Sequence, residues 1–272
     1  MQTKTLSFLG SLIRAVNTCT GCPILAPFFW RKGGKPQHYL RAGSIALLVL
    51  AAMSIAPSQS HAQADKSAYP AMAPLDQYLI PDENAEIALA RSAAPASVSS
   101  AAEVMVLRRT GYATAVKGAN GFLCIVERGW AAATDAPDFW NPKVRSPNCF
   151  NAAAARSFVP IVLMKTKLVL AGKSKTEILA ATDAAFATRQ LPALEPGSMC
   201  YMTSKQQYLN DEGKAWYPHV MVIVSGDAAK SWGANLPGSP IMAANDPQEH
   251  ATIFMVVVSE WSDGTPAPPM EH

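Results

Sequence analysis

Two stretches of this chain are apolar without interruption, residues 219–225 and 252–259. Both are rich in β-branched residues and fenced by turn formers: Pro218 and Gly226-Asp227 around the first, Asp246-Pro247 and Asp263-Gly264 around the second. Unbroken apolarity over seven or eight residues predicts strands covered on both faces, at the middle of a sheet. Elsewhere the strand signal is shorter. Residues 112–116 and 122–126 flank Asn120-Gly121, a dipeptide favoured in tight turns, which predicts a hairpin. Residues 199–206 read as a strand, and 103–108 as a strand or a helical turn. The stretches 129–147 and 231–246 hold several Pro, Gly and Trp residues and read as long loops.

The helical rhythm lies between these regions. Residues 82–91 begin with Asp82 as a cap, carry Glu83 and Glu86 early and end on Arg91, an order that suits the helix dipole. Residues 92–102 form an Ala-, Ser- and Pro-rich linker. The run at 151–171 is helical, with a break or restart at Pro160, and Ile161, Met164, Leu168 and Ala171 share one face. Gly172 ends it. Ser174 and Glu177 have the spacing of a capping box, opening a helix that reaches about Arg189. Strands, then helices, then strands predict a single α+β domain, mainly an antiparallel sheet packed against two or three helices.

The first 64 residues stand apart. Arg41 precedes an apolar stretch at 42–56, and Ala62-Gln63-Ala64 follows, the pattern of a secretory signal peptide with its cleavage site. The stretch is short of the roughly 20 residues of a membrane span. The expected product is residues 65–272, exported to the periplasm or outside the cell. It has a loose leader (65–74), a Pro-rich tail (264–272) and no stable membrane span. Residues 1–40 are long for a signal n-region, so the true start is open. Lys4, Arg14, Arg31, Lys32, Lys35 and Arg41 fall in this segment and no acid does. Of 23 basic residues 17 therefore remain against 20 acidic ones, and nucleic acid is not an expected partner.

Cys124, Cys149 and Cys200 remain after cleavage. In an oxidising compartment one pair closes, and Cys124–Cys149 is the pair expected, leaving Cys200 as a buried thiol; the sequence leaves the alternative of three reduced cysteines open.

Candidate chemistry is sparse. Gly172-Lys173-Ser174 resembles the end of a phosphate-binding loop, but Lys167 stands where the motif needs glycine. A nucleophilic site would draw on His219 with Ser204 or Lys205, although adjacent strand residues face opposite ways. His219 and His250 each stand at a strand entrance. In antiparallel neighbours those entrances lie at opposite ends, and two separated ligands fall short of a metal site. No metal or cofactor is expected. Trp130, Trp140, Trp216, Trp232 and Trp261 all fall in or beside loops. Of these, Trp216, Trp232 and Trp261, with Gln206 beside them, are the candidate ligand contacts; the alternative is that the rings cap an Ala-rich core.

The segments Phe139-Trp140-Asn141-Pro142-Lys143, Ser204-Lys205-Gln206-Gln207-Tyr208-Leu209, Trp232-Gly233-Ala234-Asn235-Leu236-Pro237 and Trp261-Ser262-Asp263-Gly264-Thr265 resemble those of a group of uncharacterised exported bacterial proteins. The resemblance implies a bacterial secreted or periplasmic protein and no activity. Two readings follow: a non-catalytic binding domain for a small molecule, glycan or peptide, and a hydrolase-like enzyme built on His219.

Overall fold

The computed structural model describes residues 68–269; the presequence and the end of the tail lie outside the described residues. The strands are β1 (Glu103–Arg108), β2 (Gly111–Val116), β3 (Leu123–Glu127), β4 (Ser146–Phe150), β5 (Met199–Met202), β6 (His219–Ser225), β7 (Ile241–Asp246) and β8 (Ala251–Val257). They form one sheet in the order β2-β1-β3-β4-β5-β6-β8-β7. Only β1 and β3 pair in parallel. The helices are α1 (Glu83–Arg91), α2 (Ala96–Ser99), α3 (Ala152–Ser157), α4 (Val159–Leu170) and α5 (Lys175–Ala187). The chain is thus an α+β fold with a mostly antiparallel sheet.

Local signals account for most of the helices. Asp82 accepts the Asn84 N–H as the α1 cap, and Ser174 and Glu177 complete the capping box of α5. Pro160 sits in the first turn of α4, where its missing N–H costs nothing, and the break between α3 and α4 falls just before it, at Phe158. Gly172 ends α4 at φ +73°, a conformation cheap for glycine alone.

Three expectations give way. The Asn120-Gly121 hairpin does not form. β2 turns back on β1 through Arg109-Thr110, and β3 comes in parallel on the other side of β1. That placement buries Val104, Val106, Cys124 and Val126 together under α1, a gain that a local turn preference of a few tenths of a kcal/mol does not match. Secondly, the two apolar strands are antiparallel neighbours, His219 opposite Val257 and Ser225 opposite Ala251, but they lie toward one end of the sheet. Thirdly, the expected loop at 231–246 contains β7, whose Ala-rich sequence has little hydrophobic contrast and is held by its ladder to β8. Asn235 closes the outer edge of β7: its side chain accepts the Ala243 N–H and donates to the Ala243 carbonyl, both at 2.9 Å, as a further strand would.

Alternation along the strands divides the core. Leu123, Ile125, Phe150, Cys200, Ile223, Ile253 and Met255 face α3–α5 and the main cluster, while Cys124, Val126 and Cys149 face α1. Cys124 and Cys149 are opposite one another on β3 and β4 and are joined by a disulfide, and Cys200 is a buried free thiol on the other face. Trp130 and Trp140 are core residues. Trp130 packs on Tyr78 and donates its indole N–H to Thr166, and Tyr78 donates to the Trp140 carbonyl. Met72 and Ala73 of the expected loose leader pack on the same cluster, and the Ala73 N–H donates to the Tyr78 hydroxyl.

Candidate functional site

The sheet brings candidate residues together in three places. The first is the end where β5 and β8 leave and β6 enters. The Val258 N–H donates to the Pro218 carbonyl, the Ser262 N–H to the Thr203 carbonyl, and Lys205 pairs with Asp263 at 3.0 Å. These bonds gather Ser204, Lys205, Gln206, Trp216, His219 and Trp261 into one region. The His219 ring nevertheless serves the backbone: Nδ1 lies 2.7 Å from the Tyr217 carbonyl, which only accepts, so Nδ1 carries the hydrogen. Burial pushes the imidazole down to about 4, holding it neutral, and Trp216 meets its ring edge-on at 4.7 Å. Ser204 Oγ is 2.6 Å from Ser92 Oγ and accepts the Gln206 N–H. Serine, lysine and histidine are each committed to a different partner, an arrangement of structural ties rather than a relay.

His250, the other strand-entrance histidine, lies at the opposite end and stacks on Phe186 at 4.4 Å. Among the described residues no three His, Cys, Asp or Glu are placed to hold a metal.

The second place is the face of β5, β6, β8 and β7 turned away from α3–α5. Tyr201, Val220, Val256 and Ile241 stand in one row across it, and Met199, Val222, Phe254 and Ala243 in the next. Helix α1 covers this side only as far as β1, β3 and β4. Beyond that limit six of these apolar side chains are partly buried, while Phe254 and Ala243 are buried beneath the 226–240 loop. The far border is the 226–240 loop, where Trp232 lies flat on Phe254 with ring centres 4.2 Å apart. Trp232 is 48 % exposed and Leu236 61 %, the two exposed large hydrophobics among the described residues. Trp216 packs instead on the helix-covered side, so the three candidate tryptophans do not share one surface.

Sequence reasoning missed the third place, a set of buried charges beneath the helices. Lys165 of α4 donates to the Ala131 and Ala132 carbonyls and to Glu249 at 3.0 Å. Glu127 of β3 accepts from Asn148 Nδ2 at 2.7 Å. Lys165 and Glu249 are 3 % exposed and Glu127 8 %. Burial pushes Glu127 up to about 8, with Glu249 adding to the rise, and pushes Glu249 up to about 7. The sequence did hold a signal: Lys165 is four residues from both Ile161 and Val169 on the apolar stripe of α4, and Glu127 follows Ile125 on the inward face of β3. A depression lined by Thr134, Thr182 and Gln248 reaches Lys165 and Glu249, but its space is about 10 Å³, enough for one water. It is too small for a substrate.

These groups set the pH dependence of stability. Glu127 and Glu249 titrate higher in the folded chain than when unfolded, so their stabilisation is full below about pH 4.5 and is lost as pH rises through 7 and 8. His219 acts oppositely, its contribution falling as pH drops from about 6.5 toward 4. Two carboxyls outweigh one imidazole between those limits. The thermal midpoint is therefore expected to be highest near pH 5 and several degrees lower at pH 8; a midpoint that rises steadily to pH 8 contradicts this.

Among the described residues no helix is long and apolar enough to cross a membrane. Comparison with family models, curated proteins and solved structures finds no match to this chain, so its function is argued from the geometry alone.

Proposed function

We propose that this chain is an exported, non-catalytic binding domain that holds a polypeptide partner against the open face of β5, β6 and β8, with Trp232 as the principal contact. One observation carries the reading: Trp232, itself half exposed, lies flat on the buried Phe254 beside the partly buried row Tyr201, Val220, Val256 and Ile241. Exposed apolar surface bordered by an immobilised aromatic ring is a common contact for proteins, and Trp is enriched among residues that dominate binding energy. An extended sheet surface suits a polypeptide, whereas small-ligand sites are concave and enclose several hundred Å³. The signal-peptide pattern at 42–64 and the Cys124–Cys149 bond support export, since disulfides persist in oxidising compartments.

The test is selection of a displayed random-peptide library on the full chain, followed by affinity measurements on Trp232→Ala and Leu236→Ser. Selected peptides should be rich in aromatic and aliphatic residues. Trp232→Ala should weaken them at least ten-fold, about 1.4 kcal/mol, with the circular dichroism unchanged. Equal binding to both variants and the parent would sink the proposal, and Trp232-dependent binding on a glycan array without peptide binding would replace peptide by carbohydrate.

A further inference from the structure

Asn120-Gly121 does not make the hairpin its sequence suggests. It stands instead in the crossover that carries the chain from β2 to β3 past the start of β1. Three hydrogen bonds tie this crossover to residues 98–103. The Ala119 N–H donates to the Ala101 carbonyl at 2.8 Å, the Glu103 N–H to the Phe122 carbonyl at 2.8 Å, and Asn120 Nδ2 to the Val98 carbonyl of α2 at 2.7 Å. Asn120 Oδ1 also accepts the Phe122 N–H at 3.1 Å. That bond reaches two residues ahead and folds the side chain back over the peptide between Asn120 and Gly121. Both residues are exposed, Gly121 stands at φ +79°, and its N–H has no acceptor among the described residues. We propose that Asn120-Gly121 is a self-modifying site: Asn120 cyclises onto the Gly121 nitrogen while the chain is folded, and hydrolysis of the ring leaves aspartate or isoaspartate and unfastens the crossover from α2.

The step needs only water and a base from solvent, and nothing is oxidised or reduced. The Gly121 nitrogen gives its proton to the base and bonds to Asn120 Cγ. The Cγ–Nδ2 bond breaks, and Nδ2 takes a proton back and leaves as ammonia. Water then opens the cyclic imide. Cleavage of the bond to Cγ gives aspartate, and cleavage of the bond to the Asn120 main-chain carbonyl gives isoaspartate. Charge gathers on Oδ1 as the nitrogen attacks, and the Phe122 N–H is already aimed at that oxygen, as in an oxyanion hole. Glycine puts no Cβ in the way of the approach, whereas the other eight asparagines all precede residues that carry side chains. The product changes what holds the crossover. Aspartate sets a carboxylate, which has no hydrogen to donate, against the Val98 carbonyl. Isoaspartate also adds a carbon to the main chain between the Ala119 and Phe122 bonds. The crossover has no slack to absorb it, since a Cβ at Gly118 would already stand 2.2 Å from the Glu103 nitrogen.

Peptide mapping of the full folded chain after incubation near pH 8 tests the chemistry. Trypsin, cutting after Lys117 and Arg128, isolates the site on residues 118–128. That peptide should convert at least about ten-fold faster than those holding Asn84, Asn235 and Asn245, the other exposed asparagines among the described residues, with isoaspartate among its products. Gly121→Ala should slow the conversion at least about ten-fold. A Cβ there meets that of Ala152 at 3.3 Å, so if the variant does not fold, isoaspartate in the parent decides, because the ring is its source. Hydrogen exchange reads the consequence. The Ala119 amide should exchange about ten-fold faster in Asn120→Asp than in the parent, and faster again in the isoaspartate form, while the β3–β4 ladder holds. Conversion of Asn120 no faster than at the other exposed asparagines, or aspartate formed without isoaspartate, overturns the cyclisation. An Ala119 amide equally protected in the parent, in Asn120→Asp and in the converted chain overturns the unfastening.

Discussion

Arg128→Met is expected to destabilise the fold by about 3–5 kcal/mol, the loss typical when one partner of a buried ion pair is removed. Arg128 is 1 % exposed and uses its whole guanidinium: Nη2 meets Glu86 at 2.9 Å, Nε donates to the Tyr78 carbonyl at 2.7 Å, and Nη1 donates to the Val126 carbonyl. Glu86, equally buried, also accepts the Leu107 N–H. One side chain therefore ties α1, the segment before it and β3 together, and through Glu86 reaches β1. Methionine of similar length fills the space but leaves the Glu86 carboxylate without its countercharge and takes a donor from the Tyr78 carbonyl, while the Val126 carbonyl keeps the Tyr112 hydroxyl. Adding Glu86→Leu should recover much of the loss, because the orphaned charge goes too. By contrast Arg108→Met breaks the exposed pair with Glu83 and should cost under about 1 kcal/mol. Urea unfolding of the parent and the three variants checks this, and a loss below 1 kcal/mol for Arg128→Met would falsify the claim that this pair anchors α1.

Cys124→Ala/Cys149→Ala is the second large effect. The bond closes a separation of 25 residues, for which chain entropy gives about 3–4 kcal/mol. The half-cystines lie on adjacent, already paired strands beneath α1, so the alanine pair should retain the native circular dichroism while its thermal midpoint falls by several degrees. Cys200→Ala should change stability much less than the disulfide variant. Its thiol lies on the opposite face and is held protonated by burial, so it should also react slowly with thiol reagents while the chain is folded. A midpoint unchanged in the double variant would show that the bond constrains nothing the strands do not already hold.

How far the sequence went can be judged at single residues. Asp82, Ser174, Glu177, Pro160 and Gly172 act within one helical turn of themselves, and the structure places each where local chemistry requires it. The antiparallel pairing of β6 with β8 also followed from their patterns, and with it the separation of His219 from His250. Asn120-Gly121 failed because pairing of β1 with β3 buries four side chains that no local turn preference weighs. Trp130 and Trp140, read from their loop positions as possible contacts, are packed inside. Trp232 could not be told from them by neighbours in the chain. Only the placement of Phe254 beneath its ring and the short reach of α1 across the sheet leave it exposed.

By itself the sequence determined the class of fold, the helix ends and the strand pair of highest apolarity. These depend on residues within a turn or two of each other, or on a period that one strand shows alone. The tertiary structure decided the strand order, the burial of Glu127 beside Lys165 and Glu249, and the face on which Trp232 is left open. The physical reason is distance along the chain. Desolvation, ion pairing and exposed apolar area belong to groups that meet only after folding, and 84 residues separate Lys165 from the Glu249 carboxylate it touches.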